Sequence, residues 1–172
     1  MADERFLSLQ TLIDWVPDYL WVKDTQSRFL IANKAIASDS GRAKPSDMIG
    51  LSDFDIHPTA VARTFRAVEE GILDSEVPMI DQEESIVDSS SATKWLSSTK
   101  VPLRDAQNQI TGLIGIAHDI TARKQADVLR NGQAHILEMI AMSAPLEEVL
   151  EQLKYLVESQ LNGIFGSVML VD

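Results

Sequence analysis

The chain has no cysteine, which removes disulfides, thiolate nucleophiles, cysteine-ligated zinc, iron–sulfur clusters and any cysteinyl cofactor adduct. Positive charge is scarce. Fifteen Lys and Arg face 26 Asp and Glu, a formal charge of −11, the wrong sign for gripping a phosphate backbone or an anionic bilayer. Neither nucleic acid nor membrane is an expected partner. No apolar run approaches the roughly 18 residues that span a bilayer, and Met1-Ala2-Asp3-Glu4-Arg5 lacks the basic start of a secretory leader. The expected location is the cytoplasm. Also missing are a phosphate-cradling glycine loop and a nucleophile–base pair, so no enzyme activity is expected of this chain alone. What remains is ordinary: 172 residues, 45% of them apolar, enough for one packed core and a substantial extra element.

The pattern along the chain is mixed. Phe6, Leu7, Leu9, Leu12 and Ile13 form a helical stripe that Pro17 stops. Residues 19–23 and 28–32 read as strands joined by Asp24-Thr25-Gln26-Ser27. Residues 33–48 break into short helical turns, with Asn33 and Ser46 as capping residues. A longer helix is expected from Pro58 through Val61, Phe65, Val68 and Ile72. Residues 79–87, 92–101 and 110–120 read as three more strands, parted by Ser89-Ser90-Ser91 and by 104–108. The expected class is α+β: a five-stranded antiparallel sheet with helices on one face.

The remainder reads as helix. Ala122, Ala126, Leu129, Gln133, Ile136 and Ile140 keep heptad spacing, with polar Gln133 and the weak pair Asn131-Gly132 mid-way. A second amphipathic helix starts at Pro145 with Glu147 and Glu148 in its first turn, and residues 165–171 read as a strand. Ending on an unpaired strand suggests a chain cut at the threshold of a further domain.

Three segments taken in order, DYLWVKDTQSRFLIANKAI, IGLSDFDIHP and KWLSSTKVPLRDAQNQITGLIGIAHDIT, resemble a bacterial sensory PAS domain over about Thr11 to Thr121. Asp119-Ile120-Thr121 with Arg123-Lys124 resembles that family's exit into a signalling helix. The stretch from His135 to Asp172 is similar to the opening of a GAF domain. The division expected is therefore residues 1–17, an N-terminal amphipathic helix; 18–121, the PAS domain; 122–144, the linker helix; and 145–172, the start of a GAF-like domain. The resemblance implies a sensory module of a cyclic-di-GMP enzyme or histidine kinase. Such a module binds a small ligand, forms a parallel homodimer through the heptad seam, and passes its state to an output domain downstream in the same chain. A ligand-free interaction scaffold with a filled core is the alternative.

Along the fourth strand Trp95, Ser97, Thr99 and Val101 share one face while Leu96, Ser98 and Lys100 share the other, and spacing alone leaves open which lies inside. The resemblance implies that the second set looks inward, lining a pocket with Trp21, Lys23, Phe65, Leu113 and Ala117. An inward ammonium needs a partner. The favoured reading pairs Lys100 with Asp53 or Asp55; the other has Lys100 or Lys23 anchor the carboxylate of a small organic acid. The acidic block Glu69, Glu70, Asp74, Glu76, Asp81, Glu83, Glu84 and Asp88 matches no calcium loop and reads as a solvated face. No cofactor is expected. Haem would need His57, the one histidine beside the long helix, where a helix-entry contact is the simpler role. Light-sensing flavin chemistry would need the missing cysteine. His118 should point away from the pocket, and His135 lacks the acidic neighbour of a kinase phosphoacceptor.

Overall fold

The computed structural model describes residues 9–87 and 93–160. The chain forms two compact units, residues 1–120 and 121–172. In the first, β1 (Tyr19–Asp24), β2 (Phe29–Ala32), β3 (Met79–Val87), β4 (Thr93–Arg104) and β5 (Ile110–Asp119) make one antiparallel sheet in the order β2-β1-β5-β4-β3. Helices α1 (residues 9–14), α2 (Lys34–Asp39) and α3 (Thr59–Ser75) and two 3-10 turns, Pro45–Met48 and Asp53–Asp55, complete it. The α+β sheet expected from the sequence is therefore what forms.

Two hairpins use the same local chemistry. The Asp24 carboxylate accepts from the backbone of Gln26 and Arg28, and Asp105 accepts from Gln107 and Gln109. Each aspartate mimics a backbone turn, and Ser27 and Asn108 take the left-handed conformation that closes it. Between β2 and α2, Asn33 is fully buried. Its Oδ1 accepts from Leu20 and Ile36, and its Nδ2 donates to the carbonyls of Ile13, Val16 and Asp18 at 2.8 to 3.2 Å. It is a clamp as well as the expected cap. Ser46 is not a cap: Lys44 precedes the 3-10 turn and Pro45 opens it. Likewise Pro58 sits at the N-cap of α3, one residue before the helix proper.

β4 runs three residues past its expected end, through Pro102. Beyond Lys100 it has β5 on one side and no β3 residue opposite, so proline's missing N–H costs no ladder bond there. On the inner face of the sheet, Trp21, Phe29, Ala32, Leu96 and Ala117 pack with Ala37, Met48 and Ile86. Each large side chain in this cluster contributes roughly 1.5 to 3 kcal/mol through burial. Outward positions are often larger than inward ones: on β5 Ile114 and Ile116 are exposed while Leu113, Gly115 and Ala117 face inward. Gly115 lies opposite Trp21, and a Cβ there would stand 2.1 Å from the indole Cε2, so the indole rests on a position that admits no side chain.

The second unit contains α4 (Thr121–Ala141) and α5 (Leu146–Gln160), joined by a turn in which Ser143 is left-handed. α4 is continuous through Asn131-Gly132, so the expected weak point is no break. Its reason is close packing: a Cβ on Gly132 would come within 2.4 Å of Leu156, so glycine lets α5 approach. The heptad residues divide accordingly. Leu129, Gln133 and Ile136 line a groove with Leu153, Leu156 and Val157 of α5, while Ala122, Ala126 and Ile140 are exposed. The strand expected at 165–171, and residues 6–8 of the N-terminal stripe, lie outside the described residues; Leu9 and Leu12 of that stripe are exposed.

Candidate functional site

The inner face of the sheet, α2, α3 and the Asp53–Asp55 turn line a partly open cavity of about 50 Å³. Of the expected lining residues, Trp21, Lys23, Phe65, Leu96, Ser98, Lys100 and Ala117 are on its wall. Leu113 is not. It is buried opposite Lys23 and Pro102, four residues along β5 from Ala117, and packs beyond the cavity's end.

Two lysines enter this interior, each under 4% exposed. Lys23 reaches from β1 to both Asp53 Oδ2 at 2.6 Å and Glu69 Oε1 at 2.7 Å, with its ammonium 4.6 Å above the Phe29 ring. Asp53 therefore pairs with Lys23 and not with Lys100, because β1 faces the turn that carries it. Asp55 is unavailable as well: it caps its own turn, accepting from the Ser52 amide and hydroxyl, and these bonds pull its carboxyl below the ordinary range. Lys100 instead lies 4.9 Å over the Phe65 ring and 3.8 Å from Glu84 Oε1, which accepts from Ser98 Oγ at 2.5 Å.

The acidic block is thus no uniform solvated face. On α3 the buried line Ala62, Glu69, Ile72 puts one carboxylate into the core, with Phe65 on the same side, and on β3 Glu84 turns onto the cavity wall. Glu70, Asp74, Glu76, Asp81 and Glu83 are exposed as expected. Glu69 Oε2 is buried without a hydrogen-bond partner.

Near Tyr19, Asp39 and Ser40 the wall is closed by a further pair: Lys94 of β4 bonds Asp39 of α2 and lies 3.5 Å from the Tyr19 hydroxyl. Burial, then the charge of Asp39, raises the Tyr19 phenol; burial opposes the Lys94 ammonium, but its bond to Asp39 keeps it above its ordinary value. His57 sits on the cavity wall, edge-on to Phe65 at 5.4 Å between ring centres, and burial pushes its pKa down. His118 points out and bonds Asp18, as expected from an inward Ala117. Among the described residues no group of three or more His, Asp or Glu is arranged to hold a metal ion.

Leu96, Ser98 and Lys100 of β4 and Ala117 of β5 line the cavity, and the exit of the unit is tied to the same strand. Ile120 is buried, and its amide donates to the Trp95 carbonyl at 2.8 Å. No helix among the described residues is long and apolar enough to cross a membrane.

Comparison with known proteins agrees with this architecture. Residues 13–125 match the family described as the PAS fold. The methanogenesis regulatory histidine kinase FilI of Methanothrix harundinacea is 31% identical over 128 residues, 74% of this chain and 14% of that protein. The methyl sulfide methyltransferase-associated sensor of Methanosarcina acetivorans is 32% identical over 133 residues, 77% of this chain and 12% of that protein. The chain thus spans about an eighth of the length of these relatives. A crystal structure of the VqmA–ligand–DNA complex of Vibrio cholera superposes with a TM-score of 0.60 at 28% identity, covering 67% of this chain and 51% of that one.

Proposed function

The chain is a member of the PAS fold family, and from that premise we propose that it is the ligand-sensing module of a larger signalling protein. The observation that carries this reading is an interior cavity whose wall continues, through β4 and β5, into the buried exit residue Ile120. A ligand that binds one conformation of this wall better than another biases whatever follows Thr121. The similarity to a histidine kinase and to a sensor favours a kinase-type output over cyclic-di-GMP chemistry. The ligand-bound VqmA neighbour supports occupancy of the cavity. DNA is not a proposed partner here, because the net charge of −11 opposes it. The module is placed in the cytoplasm, upstream of a GAF-like domain opening near Pro145, and works without haem or flavin and without turnover of its own.

Homodimerisation belongs to the same proposal. Val128, Leu137 and Ile140 of α4 and Leu153 and Val157 of α5 expose apolar surface that a second copy would cover. The test is a cavity-filling variant in the full-length parent. Ala117→Leu should leave the protein folded and its output fixed regardless of stimulus. An output that still responds normally would show that the cavity is not the sensor and favour the filled-core scaffold.

A further inference from the structure

Two polar groups in the cavity wall lack what they need. Glu69 is 1% exposed, spends Oε1 on Lys23 and leaves Oε2 without a hydrogen bond. Lys100 is 3% exposed, and its ammonium makes no hydrogen bond among the described residues: its ion pair with Glu84 Oε1 is long, at 3.8 Å, and the Phe65 ring offers only a face. Such groups are costly unless something pairs with them. One is an acceptor and the other a donor, so an occupant that satisfies both must itself offer a donor and an acceptor.

Charge narrows the class. Four carboxyl groups, Asp39, Asp53, Glu69 and Glu84, stand against two ammonium groups, Lys23 and Lys100, around the same space, and Asp39 is held by Lys94 from outside it. A carboxylate ligand would add a negative charge to an interior already in excess of acid, and it would bring no donor for Glu69. Lys23 has no need of it, since two carboxylates already hold it. A cation would meet Lys100. Size narrows it further, because a cavity of about 50 Å³ holds on the order of four waters or a molecule of about four to six non-hydrogen atoms. Flat walls at Trp21 and Phe65 suit a planar group.

Resting on the sensory reading above, we propose that the cavity takes a small, uncharged carboxamide or lactam, its carbonyl accepting from Lys100 Nζ and its N–H donating to Glu69 Oε2. The organic acid of the less favoured sequence reading gives way here to its neutral amide counterpart.

Three compounds of one shape test this: propionamide, propionate and butanone. Each is titrated into the 172-residue chain at pH 7, followed by the methyl resonances of Ala117 and Leu96. Propionamide should bind saturably and at least about tenfold more tightly than either analogue, the discrimination expected when a buried polar group is left unpaired. Glu69→Gln keeps a carbonyl for Lys23 but turns an acceptor into a donor, and it should erase the preference for propionamide over butanone. Lys100→Met, which breaks no hydrogen bond, should weaken both propionamide and butanone. Propionate binding as tightly as propionamide, or a preference unchanged in both variants, would overturn the amide assignment while leaving the sensory reading intact. If no compound moves the cavity resonances at about 100 mM, the amide assignment falls, and the sensory reading is decided by the Ala117→Leu output.

Discussion

The two units of this chain invert each other's chemistry. Residues 1–120 bury Lys23, Lys100, Asp53 and Glu69 in the interior of a sheet domain, whereas residues 121–172 expose Val128, Leu137, Ile140, Leu146, Leu153 and Val157 on two helices. Charge inside is expensive and apolar surface outside is unproductive, so neither arrangement is what stability alone would select. The contrast matches the proposed tasks: an interior suited to a polar ligand in the first unit, and a surface suited to another apolar surface in the second.

Breaking the buried charge network should produce the largest effect. Lys23→Met strands Asp53 and Glu69, and the loss expected is about 3 to 5 kcal/mol, since removing one partner leaves uncompensated buried charge. Urea unfolding followed by tryptophan emission measures it. Removing the Asn33 clamp comes next: Asn33→Leu orphans the amides and carbonyls it serves, at a cost of about 2 to 3 kcal/mol in the same assay. Gly115→Ala should cost about 1 to 3 kcal/mol by overpacking and should shift Trp21 emission as the indole is displaced from β5. These three all fall on the first unit.

The same experiment on the second unit should give almost nothing. Leu137→Lys is expected to change the unfolding free energy of that unit by no more than about 0.5 kcal/mol. Its effect should appear in association instead, as a dimer seen by light scattering that the variant lowers to monomer. A large loss of stability without change in association would erase the contrast.

The inversion also explains how much was legible in the sequence. The strands, the turn chemistry and the antiparallel sheet were readable because period and turn residues report them directly, whereas the order β2-β1-β5-β4-β3 is tertiary and came from the structure. Which face was inside was not readable from hydrophobicity: on β1 Trp21 and Lys23 point in while Leu20 and Val22 point out, and on β5 Gly115 and Ala117 point in while Ile114 and Ile116 point out. The resemblance to PAS domains supplied the inward set that period could not. Glu69 left one trace: it occupies the apolar line of α3 between Ala62, Phe65 and Ile72, where a solvated acid has no place. Asp53 as the partner of Lys23 was not readable, because 30 residues separate them and the register joining them is tertiary. The α4 seam kept two readings, because heptad spacing is the same whether a helix packs on a second copy or folds back on its neighbour; Leu129, Gln133 and Ile136 line a groove with α5, and pairing with a second copy stands as a proposal.

The smallest effect expected is in pH dependence. Burial holds the His57 pKa below its ordinary value of 6.5, so the unfolded chain binds a proton that the folded chain resists. The stability from keeping this ring neutral is complete above about pH 6.5 and is lost as pH falls below it. His57→Phe should flatten that part of the curve between about pH 6.5 and 5, measured by urea midpoints across the range.

If occupancy of the charged interior is felt at the exit of the first unit, the amide of Ile120, bonded to the Trp95 carbonyl at 2.8 Å, is where it will show. Its hydrogen exchange is to be followed with the cavity empty and saturated with propionamide. Ile120 protection is expected to change along with that of the amides of Leu96, Ser98 and Ala117, while those at the Asp105 turn stay as they were. Protection that changes at the cavity wall and not at Ile120 would contradict that coupling.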